Sequence, residues 1–264
     1  MRDAVQSLLL AAYRACRGPR WLAHPLGRRV LVTTYAVYKR WVEAPRLRSL
    51  REYVLPGTWV VDVGANVGYH ARLFAGWLDD DGRVLAIEPD QVNLEALRWY
   101  TRSCAGRVEV APVAAAAFSG PAGLARSADS HADHRLVEAG KGEPITAARL
   151  DELLQAHGSP PVSLLKIDVQ GAEYAVLAGA LRMLDRSRPA ILLEVDVHDT
   201  TAAVQAVRAL ELLHRLGYAC HGEPGRAEPR AWQPLAILEH ARQRGYGDYL
   251  FLPSPRSPGI AHAC

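Results

Sequence analysis

The run Trp59-Val-Val-Asp-Val63 and the turn behind it, Gly64-Ala-Asn-Val-Gly68, constrain the fold of this chain more than any other stretch. The run reads as a buried strand carrying one acid, Asp62, near its end. A turn of small residues follows, and Tyr69 opens a helix. Glycine has no side chain to block a ligand and tolerates unusual dihedrals, so such a turn offers bare backbone. The strand-to-helix geometry also aims the first helical N–H groups into the crevice beyond the strand. Gly82-Arg-Val-Leu-Ala-Ile-Glu-Pro89 then supplies a second apolar strand that ends on a carboxylate, Glu88. That is where an α/β nucleoside site places its ribose-binding acid.

From Pro56-Gly57 the pattern alternates. Strands are predicted at 59–63, 84–88 and 108–113, with helices at 69–78 and 91–103 between them. Alternation of this kind implies right-handed crossovers and a parallel sheet. The rhythm lapses over 114–149, a stretch rich in Ala, Gly, Ser and His, where a short hairpin and a mobile loop around Asp129 to Gly140 are expected. It resumes with a helix at 150–156, a strand at 162–169, a single helix at 174–184, a strand at 190–197 and a helix at 201–216. The last strands are predicted at 218–221 and 249–252, antiparallel at one edge, with a helix at 234–244 between them. Residues 1–49 read as an arginine-rich helical cap or dimerisation surface, 50–252 as the main domain, and the proline-rich 253–264 as a disordered tail.

At 264 residues the chain suits one α/β domain with an accessory segment, and a net charge of +3 is too small to argue for nucleic acid. Cys16, Cys104, Cys220 and Cys264 form no CxxC pair, which points to a reducing, cytoplasmic setting with neither a disulfide framework nor a zinc site. The apolar run at 8–12 is too short to span a bilayer, and with Asp3 before it, it reads as one face of an amphipathic helix.

Pure pattern leaves two nucleotide-type readings. A dinucleotide site wants G-x-G-x-x-G. Here Asn66 departs from that fingerprint, and Asp62 comes before the first glycine. A carboxylate there is unwelcome beside a pyrophosphate and welcome beside the amino group of an amino-acid-bearing cofactor. That favours S-adenosylmethionine over NAD.

Asp62-Val-Gly-Ala-Asn-Val-Gly68, Ala86-Ile-Glu-Pro-Asp90, Leu150-Asp-Glu-Leu153, Leu165-Lys-Ile-Asp-Val-Gln-Gly-Ala-Glu173 and Pro189-Ala-Ile-Leu-Leu-Glu194 carry a closer likeness. In order and spacing they resemble the FkbM family of S-adenosylmethionine-dependent methyltransferases, over about residues 50–252. Gln170 stands where that family usually has Glu, and Ala114–Ala117 replaces a more polar stretch. The resemblance implies a Rossmann-like α/β fold with a seven-stranded sheet in the order 3-2-1-4-5-7-6, the last strand antiparallel, here with an N-terminal helical extension. It also implies that Asp62 and the turn (Gly64, Ala65, Asn66 and Gly68) hold the methionine moiety, that Glu88 accepts from the ribose hydroxyls, and that Asp168 lies beside the methyl donor.

Lys166 and Asp168 are two apart on a strand and share one face. Glu194, Asp196 and His198 repeat the device on the next strand and are expected to look onto the same crevice. Charges in strands that otherwise read as buried are costly without a partner or a use. His198 is the first candidate for the base that deprotonates a hydroxyl, Asp168 the second, with Lys166 and Glu194 beside them. A divalent ion on Asp168, Glu194 or Asp196 is the less favoured route to the same end. Glu173 opens a helix and suits its positive end. Asp129, His131, Asp133, His134 and Arg135 read as a substrate lid, against the alternatives of a plain loop or a metal site.

The expected activity is methyl transfer from S-adenosylmethionine to a hydroxyl of a sugar or natural-product small molecule. The expected partners are that acceptor and a second copy met through the N-terminal helices, with no nucleic acid and no membrane span. Two rivals stay open: a non-catalytic module of the same fold that binds S-adenosylmethionine or a partner, and an NAD-linked oxidoreductase.

Overall fold

Val60, Val61 and Val63 are buried on alternating sides of strand β1 (Trp59–Val63), which makes it a central strand packed on both faces. The computed structural model describes residues 44–125, 135–225 and 231–255, together with 27, 30, 32–34, 36, 37 and 39. β1 pairs in parallel with β2 (Val84–Ile87) on one side and with β8 (Val162–Ile167) on the other. β3 (Val108–Ala111) and β9 (Ala190–Asp196) extend the sheet outward, also in parallel. β11 (Tyr246–Pro253) runs antiparallel between β9 and β10 (Tyr218–Cys220). Counted along this sheet alone, the order is 3-2-1-4-5-7-6 with the seventh strand reversed, as the resemblance implies.

The period of two along each strand sorts the core into two layers. Val61, Val63, Leu85, Ile87, Leu165 and Ile167 face helices Leu150–Ala156, Glu173–Ala178, Leu181–Ser187, Thr200–Arg215 and Pro234–Arg244. Val60, Val84, Ala86, Leu164 and Leu192 face helices Tyr69–Ala75 and Gln91–Thr101 together with Leu47 and Leu50. The described positions between 27 and 47 are helical, and Val32, Ala36 and Leu47 are buried. Among the described residues no helix is long and apolar enough to cross a membrane, and Cys104 and Cys220 are free thiols. Of the tail, Pro253 ends β11, and residues 256–264 lie outside the described residues.

Two expectations need correction. The stretch after β3 is a second, four-stranded sheet in the order β4-β7-β5-β6, built from β4 (Ala114–Ala115), β5 (Gly120–Ala125), β6 (Arg135–Val137) and β7 (Glu143–Ala148). Its own small core is Ala116, Ala122 and Ala147. Alanine and glycine are weak strand formers, so propensity hid these strands. The helix expected over 174–184 is two helices that break at Gly179-Ala180. A Cβ on Gly179 would lie 2.1 Å from the Ala116 carbonyl oxygen, so the second sheet presses on bare backbone there. The buried Asp151 carboxylate then caps the second helix, accepting from the N–H groups of Arg182 at 3.0 Å and Met183 at 2.9 Å.

Candidate active site

The turn after β1 is held by backbone on both sides. The N–H groups of Gly64 and Ala65 both donate to the Ile87 carbonyl at 3.0 Å, and the N–H of Asp168 donates to that of Val63 at 3.1 Å. Gly64 has φ +75°, and a Cβ there would sit 1.9 Å from the Asp168 carbonyl oxygen. The first glycine is therefore required by a neighbouring chain segment as well as by any ligand. Asn66, at φ +49°, turns its N–H onto Glu88 Oε2 at 2.9 Å. Glu88 Oε1 accepts from the N–H of Asp90 at 2.9 Å and from Asn93 Nδ2 at 3.4 Å. Burial pushes the Glu88 carboxyl up to about 7 against the pull of those hydrogen bonds. Oε2 keeps a lone pair for a hydroxyl donor, which fits a ribose.

Asp62 faces Lys166 in register across β1 and β8. Lys166 Nζ lies 3.2 Å from Asp62 Oδ1, 3.0 Å from Asp168 Oδ2 and 3.5 Å from the Gly64 carbonyl oxygen. Burial opposes the Lys166 charge, but Asp168 and Asp62 outweigh it and raise its pKa. The Asp62 ion pair lacks hydrogen-bond geometry, so neither of its fully buried oxygens has a hydrogen-bond partner in the structure. Such orphaned acceptors fit an ammonium donor of the amino-acid type.

Asp168 is one-third exposed, and Lys166 with a hydrogen bond from Glu194 holds its carboxyl well below the usual range in spite of burial. Glu194 goes the other way. Burial and the charges of Asp168 and Asp248 raise its pKa, so it is the protonated member of the pair. Its Oε2 also accepts from Gln170 Nε2 at 3.5 Å. The charges of Lys39 and His70 reach Asp168 too, which the sequence reading missed.

Asp168, Glu194 and Asp196 do not form a group able to hold a metal ion. Glu194 is tied to Asp168, and Asp196 to His198; among the described residues no metal-binding cluster occurs. Glu173 opens the helix Glu173–Ala178, as expected. Burial pushes its carboxyl up to about 8. Its Oε1 accepts from the Gly171 N–H at 3.0 Å.

A crevice with about 610 Å³ of empty space, part of it open to solvent, runs along the carboxyl ends of β1, β2 and β8. Glu88 and Pro89 line one end, and Asp168, Val169 and Gln170 the other. Leu124 and Leu136 of the second sheet form the facing wall. Their chain position gave no hint of this role.

His198 stands just past β9 and is not among the residues lining the crevice. Its Nδ1 is 2.6 Å from Asp196 Oδ2, and its N–H donates to Asp196 Oδ1 at 2.9 Å. Arg135 Nη2 meets His198 Nε2 and donates to Asp199 Oδ2 at 2.6 Å. Arg135 adjoins Leu136 on β6, so the cluster is tied through the chain to the crevice wall, although neither Arg135 nor His198 lines the crevice. The Asp-x-His spacing was the available signal for it. His131, Asp133 and His134 lie outside the described residues.

The sheet order, with a site where the crossovers diverge, defines a Rossmann-like α/β protein of the methyltransferase type. Residues 62–220 match the methyltransferase FkbM domain, and the chain belongs to that family. A crystal structure of methyltransferase FkbM from Methylobacillus flagellatus KT is similar at 17% identity and a TM-score of 0.47, over 92% of this chain and 58% of that one. The chain thus spans little more than half the length of that relative. An O-methyltransferase from Bacillus cereus in complex with SAH is similar at 15% identity and a TM-score of 0.45, over 94% of this chain and 90% of that one. The O-methyltransferase TomG from Streptomyces achromogenes, involved in tomaymycin synthesis and in complex with SAM, is similar at 14% identity and 0.47, over 81% and 82%. No curated protein matches the chain.

Proposed function

We propose that this protein transfers the methyl group of S-adenosylmethionine to a hydroxyl oxygen of a small-molecule acceptor of the sugar or natural-product kind. The observation that carries the reading is a crevice with a hydrogen-bond-accepting acid at one end, Glu88, and a firmly ionised one at the other, Asp168. That pairing suits a nucleoside joined to a cationic centre.

When bound, S-adenosylmethionine supplies an already activated methyl group on a positively charged sulfur. The protein's share is then alignment and proton removal. Glu88 holds the nucleoside end, and Asp62 with the Gly64–Gly68 turn holds the methionine end, where the Asp62 oxygens have no hydrogen-bond partner of their own. Leu124, Leu136 and Val169 keep water from the acceptor side. Asp168 is held too acidic to be an effective base, so it serves as the anion opposite the positive charge, with Lys166 and Glu194 fixing its state. His198 takes the hydroxyl proton, oriented by Asp196.

Calorimetric titration with S-adenosylmethionine, S-adenosylhomocysteine and NAD tests the cofactor. The first two are expected to bind, and tighter binding of NAD would overturn the reading.

A further inference from the structure

We propose that Asp196, His198 and Arg135 form a capped base, in which Asp196 fixes the ring proton on Nδ1 and Arg135 occupies the Nε2 lone pair, so that His198 can accept a proton only once the guanidinium has swung away. The word base rests on the function proposed above; the tautomer and the cap do not.

The assignment follows from what each group can do. A guanidinium has donors and no acceptor. Its contact with Nε2 therefore requires that nitrogen to be the unprotonated one. The neutral ring then carries its proton on Nδ1, which donates to Asp196 Oδ2 at 2.6 Å. Asp196 is buried, and its other oxygen is bound to the His198 N–H at 2.9 Å, so the carboxylate is held in place. This is the tautomer that places the basic lone pair on Nε2.

The cap is anchored as well. The Ala202 N–H, at 2.8 Å, and then Arg135 hold the Asp199 carboxyl down to about 2. Asp199 is thus an anion at any working pH, and it keeps the guanidinium beside the ring. Asp199 Oδ2 also lies 3.2 Å from Nε2. With Arg135 in place the guanidinium occupies the Nε2 lone pair. With Arg135 displaced, Asp196 Oδ2 beside Nδ1 and Asp199 Oδ2 beside Nε2 leave an acceptor next to each ring nitrogen. In methyl transfer the acceptor O–H bond breaks as the O–CH3 bond forms and the S–CH3 bond breaks. The proton goes to Nε2, and the ring leaves the step as an imidazolium.

The cap sits on a short strand with one neighbour. β6 has three residues, lies at the edge of the second sheet and pairs with β5 alone. The next residue along, Leu136, lines the crevice, so a ligand that shifts this wall shifts Arg135 with it.

Two measurements on the full chain decide the matter. Ring nitrogen NMR of the resting protein is expected to show His198 with its proton on Nδ1, and a proton on Nε2 would overturn the cap. Diethyl pyrocarbonate attacks an unprotonated imidazole nitrogen, and its reaction at His198 can be followed by peptide mass spectrometry. Arg135→Ala should speed that reaction about three- to tenfold, the factor associated with one hydrogen bond, while Arg135→Lys keeps a donor and stays near the wild-type rate. An unchanged rate in Arg135→Ala would overturn the proposal. Neither measurement depends on turnover, so their failure is separable from failure of the base assignment, which His198→Ala tests.

Discussion

At the β1–β2 end of the crevice, groups are positioned by the backbone of adjacent segments, as where Asn66 turns its N–H onto Glu88 twenty-two residues later. In the cluster between β6 and the end of β9 they are positioned by side chains that meet across much longer stretches, as where Arg135 reaches His198 sixty-three residues on. A turn defined by glycines and main-chain hydrogen bonds has few other states to visit. A cluster of exposed side chains on a short edge strand has many. One half of the site is thus set when the sheet forms, and the other stays responsive to what enters it.

The largest expected effect is on the rigid half. Gly64→Ala must place a methyl group inside contact distance of the Asp168 backbone, at a φ that L-residues rarely adopt. It should cost about 4 kcal/mol or more, read as a shift in denaturant midpoint. An unchanged midpoint would break the idea that this turn is fixed from outside.

His198→Ala probes the responsive half. Turnover is expected to fall about 10²–10⁴-fold with cofactor affinity nearly intact. Full activity would leave the comparison without its catalytic side.

Glu88→Ala sharpens the contrast from the cofactor side, and should weaken S-adenosylmethionine binding by about 1.5–3 kcal/mol in calorimetry. Asp62→Ala should do the same, but it also strips Lys166 of a buried partner and will cost fold stability. The Glu88 carboxyl sits at about 7 in the fold, above its unfolded value, so its own contribution to stability declines as pH rises through that region. Hydroxyl donors prefer the carboxylate. Cofactor affinity should therefore rise up to about tenfold between about pH 6 and about pH 8, and Glu88→Gln should flatten that rise.

The smallest effect belongs to neither half. Asp151→Ala removes a helix cap and a partly exposed ion pair with Arg182, and should cost about 1–2 kcal/mol of stability while leaving cofactor affinity unchanged. A loss of affinity there would show that the helix layer also tunes the crevice.

Legibility in the sequence follows the same division. β1, β2 and the turn between β1 and its helix are written in contiguous apolar runs and glycines, and they lie where the alternation puts them. The second sheet was legible only as a short hairpin, because β4 and β5 are mostly Ala and Gly and its buried core is three alanines. Asp62 was expected to wait for a ligand. That Lys166 is its partner depends on strand register, which the residues alone do not give. Asp196 was placed on the catalytic face by its phase, yet it is committed to one imidazole, and Arg135 was read as part of a substrate lid, with no sign that it meets His198.

The close approach of Gly64 to the Asp168 carbonyl joins the turn after β1 to the segment after β8. Main chain packed against main chain leaves neither segment room to shift alone. The distance between the two carboxylates that go with these segments, Asp62 and Asp168, is thus fixed by backbone, and Lys166 sits between them as a spacer that both must share.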